Sequence, residues 1–505
     1  MNLKPCLKKK RRFNNLISLN KNILANFTGA AVTTLLTLFV VPFYLKNLGP
    51  DAFGLIGVST MIQGWIMLLN LAPVTGRQAA QAHIGAVQWA QTVRFFRTID
   101  WLLIGISVLI SALIFTSRHW LAVHWLGKSN LGADTIAISI VLLVVMTLIR
   151  LASSVNRGII ANLEEQIWLN INLVIFTILR FAVSIPIVHA WPDVTTLFYW
   201  WLFVAILEYV SIQVKVAQLV PVKMPAFVFD VAELGKHGKM AATIALTSSI
   251  WVVITNLDKL LLSGMLSLAS YGYFNVATLL AGGVLSLTQP ISQAFQPRLT
   301  KAFVSGGLIE VCEELRRCTR WVTLLILPVG AVIFAMPEPV LYLWTRDHNV
   351  AENAASILRG YVLGSTLLAV SSILYIYQIA IGNVRWHLRG NLLFAVLLFP
   401  TLPIVVKYGG AEGAAWLWAG FNLLLFLFWN AILLKKLARP LYPVWLIVDA
   451  IYPMIVSFGI AFCAEFLYMK NIENKMSLLA SIVGLTLFIA LVLWILSIKR
   501  NVKIT

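Results

Sequence analysis

The residues with the most chemistry to offer are charges set inside long apolar runs. Arg180 and Glu208 interrupt the runs at 166–190 and 194–218, and Asp258 and Lys259 stand side by side near the end of the run at 241–265. A charge near the middle of a membrane helix costs roughly 2.5–3.5 kcal/mol on insertion scales, so such residues face a cavity or a partner. The Arg180 guanidinium is a planar fork suited to phosphate oxygens. Counted from their helix ends, Arg180 and Glu208 differ in depth by about 6 Å, which also suits them to an ion pair. Asp258 and Lys259 point about 100° apart on a helix and cannot simply neutralise each other. Lys259 is therefore either a second anion contact or a structural residue. Glu208, Asp258 and Asp449 are the carboxylates placed where a change of protonation could be linked to a change of conformation. Gln63, Asn70, Gln289 and Gln293 offer amides for hydroxyl groups or for neighbouring helices. Arg77, Arg150, Arg157 and Arg298 lie where apolar runs meet basic loops, forming either an electropositive mouth or ordinary flanking charge.

The elements that must position these residues are membrane helices. Of 505 residues, 60% are hydrophobic and only 12% charged, and the mean hydropathy is +0.86. Runs of about 20 apolar residues, enough to cross roughly 30 Å of hydrocarbon, recur along the chain. About fourteen can be traced between Asn22 and Ile498. They are continuously apolar, whereas barrel strands alternate with period two, so the fold class is an all-α polytopic membrane protein. Most of the 39 Lys and Arg residues fall in alternate loops and in the leading KPCLKKKRRF segment. This asymmetry places both termini in the cytoplasm and accounts for the net charge of +19 without nucleic acid. The first run is long and lacks a cleavage site, so it is expected to remain as an anchor. Four cysteines without CxxC spacing support neither a disulfide nor a thiolate metal site, and the seven histidines form no HExxH. No metal, cofactor or catalytic residue is expected. The GxxxxG of Gly49 to Gly54 is followed by Leu-Ile rather than Lys-Ser/Thr, and no strand precedes it, which excludes a phosphate loop.

The chain carries a weak internal repeat. At an offset of 218, Leu48, Gly54, Val58 and Thr60 recur as Leu266, Gly272, Val276 and Thr278, and at an offset of 217 Pro73 is answered by Pro290. Each copy opens a set of six runs, so the two halves enter the membrane in the same direction, as parallel repeats do. The expected organisation is a basic segment at 1–21, an N-lobe of six helices at 22–219, a cytoplasmic linker at 220–239, a C-lobe of six helices at 240–440, and two further helices with a short tail at 441–505. In LGPDAFG the Gly and Pro supply a turn between two helices, and Asp51 is suited to cap the second.

Asn26, Gly29, Pro42, Tyr44, Leu48, Gly49, Phe53 and Gly54 resemble the N-terminal signature of the polysaccharide-biosynthesis flippases. These are the O-antigen-unit exporters of the multidrug/oligosaccharidyl-lipid/polysaccharide (MOP) superfamily. Asn256, Asp258, Lys259 and Leu262, followed by Tyr271-Gly272, are similar to the same family. The resemblance implies two six-helix lobes opening alternately to the two sides of the bacterial inner membrane. It implies export of an undecaprenyl-diphosphate-linked oligosaccharide for O-antigen, capsule or exopolysaccharide, with Arg180 and Lys259 as diphosphate candidates and H+ or Na+ as a possible coupling ion. Membrane lipids, a polysaccharide polymerase and a chain-length regulator are the implied partners. The extra pair at 443–498 is similar to that of lipid II flippases. The competing reading is a cation-coupled multidrug or lipid exporter of the same superfamily, whose substrates would favour an acidic cavity. A membrane polymerase or ligase would need a larger external loop than about 118–132, and a silent scaffold stays open.

Overall fold

The computed structural model describes residues 4–66, 72–83, 88–163, 165–222, 227–230, 252–468 and 475–499, with isolated positions 85, 225, 232 and 235. All regular elements among them are helices. In chain order they are α1 (Lys4–Ile66), α2 (Ala72–His83), α3 (Trp89–His124), α4 (Ala133–Asn162), α5 (Gln166–Thr177), α6 (Ser184–Ala190), α7 (Val194–Leu219), and α8 (252–265). They continue as α9 (Leu268–Ser286), α10 (Thr288–Ala335), α11 (Pro337–Thr345), α12 (His348–Ala380), α13 (Arg385–Leu424), α14 (Asn430–Leu437), α15 (Tyr452–Tyr468) and α16 (Lys475–Lys499). Three π-helical turns, Ile178–Ala182, Leu425–Trp429 and Trp445–Ile451, join α5 to α6, α13 to α14, and lead into α15.

Eleven described helices are long and apolar enough to cross a membrane. Two of them hold two spans each. The helix Ala31–Ile66 changes direction at Gly49 (φ 81°, ψ 172°), and Arg385–Leu437 does so at Gly410 (φ 54°, ψ −140°). Both conformations lie in the positive-φ region that a Cβ disfavours, which is why glycine stands at these two reversals. The run at 241–265 supplies one more, of which 252–265 are described, and this reconciles eleven helices with fourteen runs. Phe39, Leu109, Phe466 and many other large apolar side chains are exposed, as lipid-facing positions must be.

The chain divides into two compact units, Met1–Lys259 and Leu260–Thr505. In the first, α4 is the hub, packing against α1, α2, α3 and α7. In the second, α12 takes that place against α9, α10, α11 and α13. Each is the fourth span of its set of six, so the repeat seen in the motifs extends to the internal packing of each unit. Val58 and Val276 are both fully buried, and Pro73 and Pro290 both sit in the first turn of a helix, where a missing N–H is harmless.

Helix starts follow the capping chemistry of their residues. Asp193 accepts from the Thr196 amide (3.1 Å), Ser267 from that of Ser270 (3.2 Å), and Asp347 from Asn349 and Val350 (2.8 and 3.2 Å). Asp51 departs from the capping role expected of it. Its carboxylate accepts from the Ser129 hydroxyl (3.0 Å) and the Asn130 side-chain amide (3.2 Å), tying the first reversal to the loop between α3 and α4.

The C-lobe hub has a close approach that yields a direct test. A Cβ built on Gly360 of α12 would lie 2.6 Å from the Ala415 carbonyl carbon of α13, and backbone cannot step aside as a side chain can. Gly360→Ala is expected to destabilise the protein by about 1–3 kcal/mol. Gly420→Ala, where nothing lies within 4 Å, should be neutral or slightly stabilising. Unfolding midpoints in detergent check this pair, and equal midpoints would refute the close packing.

Candidate functional site

Three arginines of the first unit, Arg150, Arg157 and Arg180, meet α7. Its side chains at 201 and 208 lie two turns apart on one face, about 10.5 Å along the axis. At the lower station Glu208, 7% exposed, accepts a hydrogen bond from Arg157 Nη2. Its other oxygen lies 3.9 Å from Arg150 Nη2. Arg150 and Arg157 are themselves two turns apart on α4, so one helix presents both guanidiniums to one carboxylate. Gln63 of α1 completes this station, with its Oε1 3.5 Å from Arg150 Nη1 and its Nε2 donating to Ser59 Oγ (2.9 Å).

The upper station is built around Arg180 and Trp201. Arg180 rides on the π-helical turn Ile178–Ala182, just before Pro186, whose missing N–H cannot continue an α-helical ladder. The carbonyls of that turn are satisfied from α7: Trp200 Nε1 donates to the Leu179 oxygen (2.9 Å) and Trp201 Nε1 to the Arg180 oxygen (3.1 Å). The Arg180 guanidinium then lies over the Trp201 ring, 4.2 Å from its centroid, a cation–π contact. Trp201 thus fixes both ends of the same arginine. Tyr44 of α1 closes the station, 2.6 Å from Ser184 Oγ through its hydroxyl, with its ring 6.2 Å from that of Trp201.

Together, the three arginines and one carboxylate give a formal excess of two positive charges among membrane helices. Arg150 and Arg180 interact electrostatically, and the buried Nε of each makes no hydrogen bond among the described residues. The cluster therefore carries positive charge that its own carboxylate does not balance.

The expected Arg180–Glu208 ion pair does not form. Depth alone brought the two within reach, but Glu208 is taken by Arg157 and Arg150, while Arg180 is held one station higher on Trp201. Arg150 and Arg157 belong to this internal cluster rather than standing only as flanking charge. Lys259 Nζ donates to the Thr255 carbonyl (3.1 Å) and to Asn256 Oδ1 (3.2 Å), and the Asp258 carboxylate accepts from the Lys259 amide (2.8 Å). The Asn256 side chain in turn packs so closely on Gly64, the neighbour of Gln63, that a Cβ there would meet its oxygen at 2.5 Å. Arg77 is exposed on α2. Gln289, Gln293 and Arg298 are exposed on the first half of α10 in the second unit, with Arg298 5.4 Å from the Phe295 ring centroid. Asn70 lies outside the described residues.

Asp449 is fully buried and held by two hydrogen bonds from Arg316, Nε at 2.6 Å and Nη2 at 3.2 Å. Nothing in the sequence singled out Arg316, so this pairing was missed. It also missed Trp201, whose only signal was a tryptophan seven residues before Glu208. The second unit has a cavity of about 780 Å³ lined by Glu338, Glu352, Glu465, Arg359, Phe462 and Phe466.

Residues 47–346 match the family model described as polysaccharide biosynthesis protein. The chain belongs to that family. A comparison with curated proteins finds no match. Among solved structures, the fold of this family member is similar to lipid II flippase MurJ in an inward closed conformation, with a TM-score of 0.68 and 12% identity over 93% of this chain and 97% of that one. It is also similar to an inward-facing multidrug resistance MATE family transporter of the MOP superfamily, with a TM-score of 0.65 and 15% identity over 82% and 99%. A MOP superfamily transporter from Pyrococcus furiosus aligns with a TM-score of 0.54 and 16% identity over 89% and 96%. The fold is therefore that of the MOP transporters, and the MurJ match spans nearly the whole of both chains.

Proposed function

We propose that this protein is a flippase that moves an undecaprenyl-diphosphate-linked oligosaccharide repeat unit across the bacterial inner membrane by alternating access, for O-antigen, capsule or exopolysaccharide assembly. The observation that carries the reading is the excess positive charge of Arg150, Arg157 and Arg180 over Glu208 inside a lobe of membrane helices. A diphosphate brings the opposite charge and the oxygens that guanidinium groups bind in pairs. The family supports polysaccharide assembly as the pathway. Lys259 is proposed as a further anion contact, with Gln63 and Asn70 for sugar hydroxyls. Arg77, Arg298 and Gln289 are proposed to guide the head group on exposed faces. Glu208, Asp258 and Asp449 are the proposed carboxylates for H+ or Na+ coupling. A polymerase and a chain-length regulator would take the exported unit, and both termini would be cytoplasmic.

The second reading, a cation-coupled exporter, is favoured by one feature, the cavity whose three glutamates outnumber Arg359 and whose phenylalanines could stack on a flat cation. Deletion of the gene in its host, followed by fractionation of undecaprenyl-linked sugars, separates the two. A flippase leaves a complete lipid-linked unit accumulated and the surface polymer lost. Unchanged lipid intermediates and surface glycans, in a host without a second flippase, would overturn it. Within the flippase reading, Arg180→Ala at normal membrane abundance should reduce export about tenfold or more, the loss of one charge-assisted contact of roughly 1.5–3 kcal/mol. Arg180→Lys should retain part of it, since the charge stays but the fork is lost. Full export with Ala would remove Arg180 from the mechanism.

A further inference from the structure

The carboxylates expected to exchange ions with the solvent are each held: Glu208 by two arginines, Asp449 by two bonds from one, and Asp258 by a backbone amide. A different carboxylate is held far more loosely. Asp100 of α3 is 4% exposed, and its Oδ2 makes no hydrogen bond among the described residues. Its ion-pair partner Arg97, one turn earlier, reaches only to 3.6 Å, and the buried Nε of that arginine likewise makes no hydrogen bond among the described residues. A buried pair repays the loss of hydration only when its remaining lone pairs and protons are satisfied. Here neither partner is.

Arg97 also lines a cavity of about 500 Å³ with Gln213 of α7 and with Val220, Pro221 and Val222, the residues that lead out of the first six spans. The same stretch of α3 holds the chain that follows. Thr98 Oγ1 accepts from the Asp230 amide (2.9 Å), and the Trp101 ring lies 5.1 Å from that of Phe227. The loosely paired carboxylate thus sits between the two residues that dock the segment joining the halves, with a cavity reaching its arginine.

We propose that Asp100 is a proton-binding site of this protein, reached through the cavity beside Arg97. A proton arriving there forms an O–H bond on Oδ2, neutralises the carboxylate, and releases Arg97 to face the water of the cavity. The ligand is a proton rather than a metal cation. A sodium or calcium ion would need several oxygens around it, whereas here a guanidinium stands 3.6 Å away, and no group of three acidic, His or Cys side chains surrounds any point among the described residues. The other charges on the helices packed nearby are engaged or turned away. Arg150 and Arg157 of α4 contact Glu208, Lys215 of α7 pairs with Glu165 (3.1 Å), and Arg94, Arg77 and His83 are exposed. Tyr209 of α7 is the remaining titratable group that senses both Asp100 and Arg97, and its hydroxyl accepts from Gln213 (2.7 Å).

The use of the proton to drive transport rests on the proposed function, but the site can be tested without any substrate. The purified full-length protein in detergent is treated with dicyclohexylcarbodiimide, which modifies protonated carboxyls in apolar surroundings, and the labelled peptides are quantified by mass spectrometry across the pH range in which the protein stays folded. Labelling of Asp100 should rise as pH falls, by up to about tenfold per pH unit while the group is mostly ionised. In parallel, infrared titration should lose one protonated-carboxyl band in Asp100→Asn and keep it in Asp100→Glu. Absence of Asp100 labelling at every pH, or an unchanged carboxyl band in a folded Asp100→Asn protein, would overturn the proposal. Neither result would bear on the identity of the lipid-linked substrate.

Discussion

Asp449→Ala is expected to lower the unfolding free energy of the detergent-solubilised protein by about 3–5 kcal/mol, and Arg316→Ala by a similar amount. Each single change leaves the other charge uncompensated, in a site where the Arg316 and Asp449 side chains are 5% and 0% exposed. The contact also has mechanical weight. Arg316 is on α10, and Asp449 is on the π-helical turn that begins the thirteenth span, where Trp445 Nε1 donates to Thr319 Oγ1 of α10 at 2.7 Å. Two side chains one turn apart on α10 therefore anchor one end of the added helical pair. Replacing both partners with apolar residues of similar volume, Arg316→Met with Asp449→Leu, should cost far less than either single change, because no buried charge is stranded. Unfolding midpoints and membrane abundance of the three variants check this. A double variant as unstable as the sum of the singles would show that Arg316 and Asp449 act independently. Normal export by a stable double variant would remove Asp449 from ion coupling.

What could be read from the sequence divides along a physical line. Spans and the reversal at Gly49 depend on local composition and on backbone conformations that few residues tolerate, so Gly49 and the fourteen runs were legible. The repeat was legible because Leu48 to Thr60 and Leu266 to Thr278 answer the same packing demand in each unit. Partners were not legible, because pairing across helices depends on rotation about each axis, which depth does not fix. Arg180 and Glu208 were matched by depth, yet the seven-residue spacing of Arg150 and Arg157 on α4 settles which arginines meet Glu208. That spacing was visible and went unused, since each arginine alone resembles flanking charge. Asp100 escaped notice for the related reason that it stands near the start of its apolar run, where a charge ordinarily reaches water.

The Arg157–Glu208 pair separates holding the lobe together from holding a substrate. Glu208→Gln removes the negative charge from among three arginines and raises the formal excess from two to three. Guanidiniums that were screened by Glu208 then repel, and the variant should lose membrane abundance, with a cost toward the lower end of about 3–5 kcal/mol because Arg157 is 30% exposed. Adding Arg157→Gln restores the excess to two, carried by Arg150 and Arg180, and should recover abundance. If the cluster serves only to join α4 to α7, export should follow abundance in both variants and in Arg180→Ala. If its excess charge holds the diphosphate and Glu208 is not the coupling carboxylate, the double variant should export while Arg180→Ala, equally abundant, should be strongly reduced, because only the former keeps both guanidiniums whose buried Nε atoms make no hydrogen bond among the described residues. Surface polymer measured per molecule of membrane protein decides between these outcomes. Loss of export in the double variant at full abundance would assign a substrate contact to Arg157 or the ion-coupling role to Glu208.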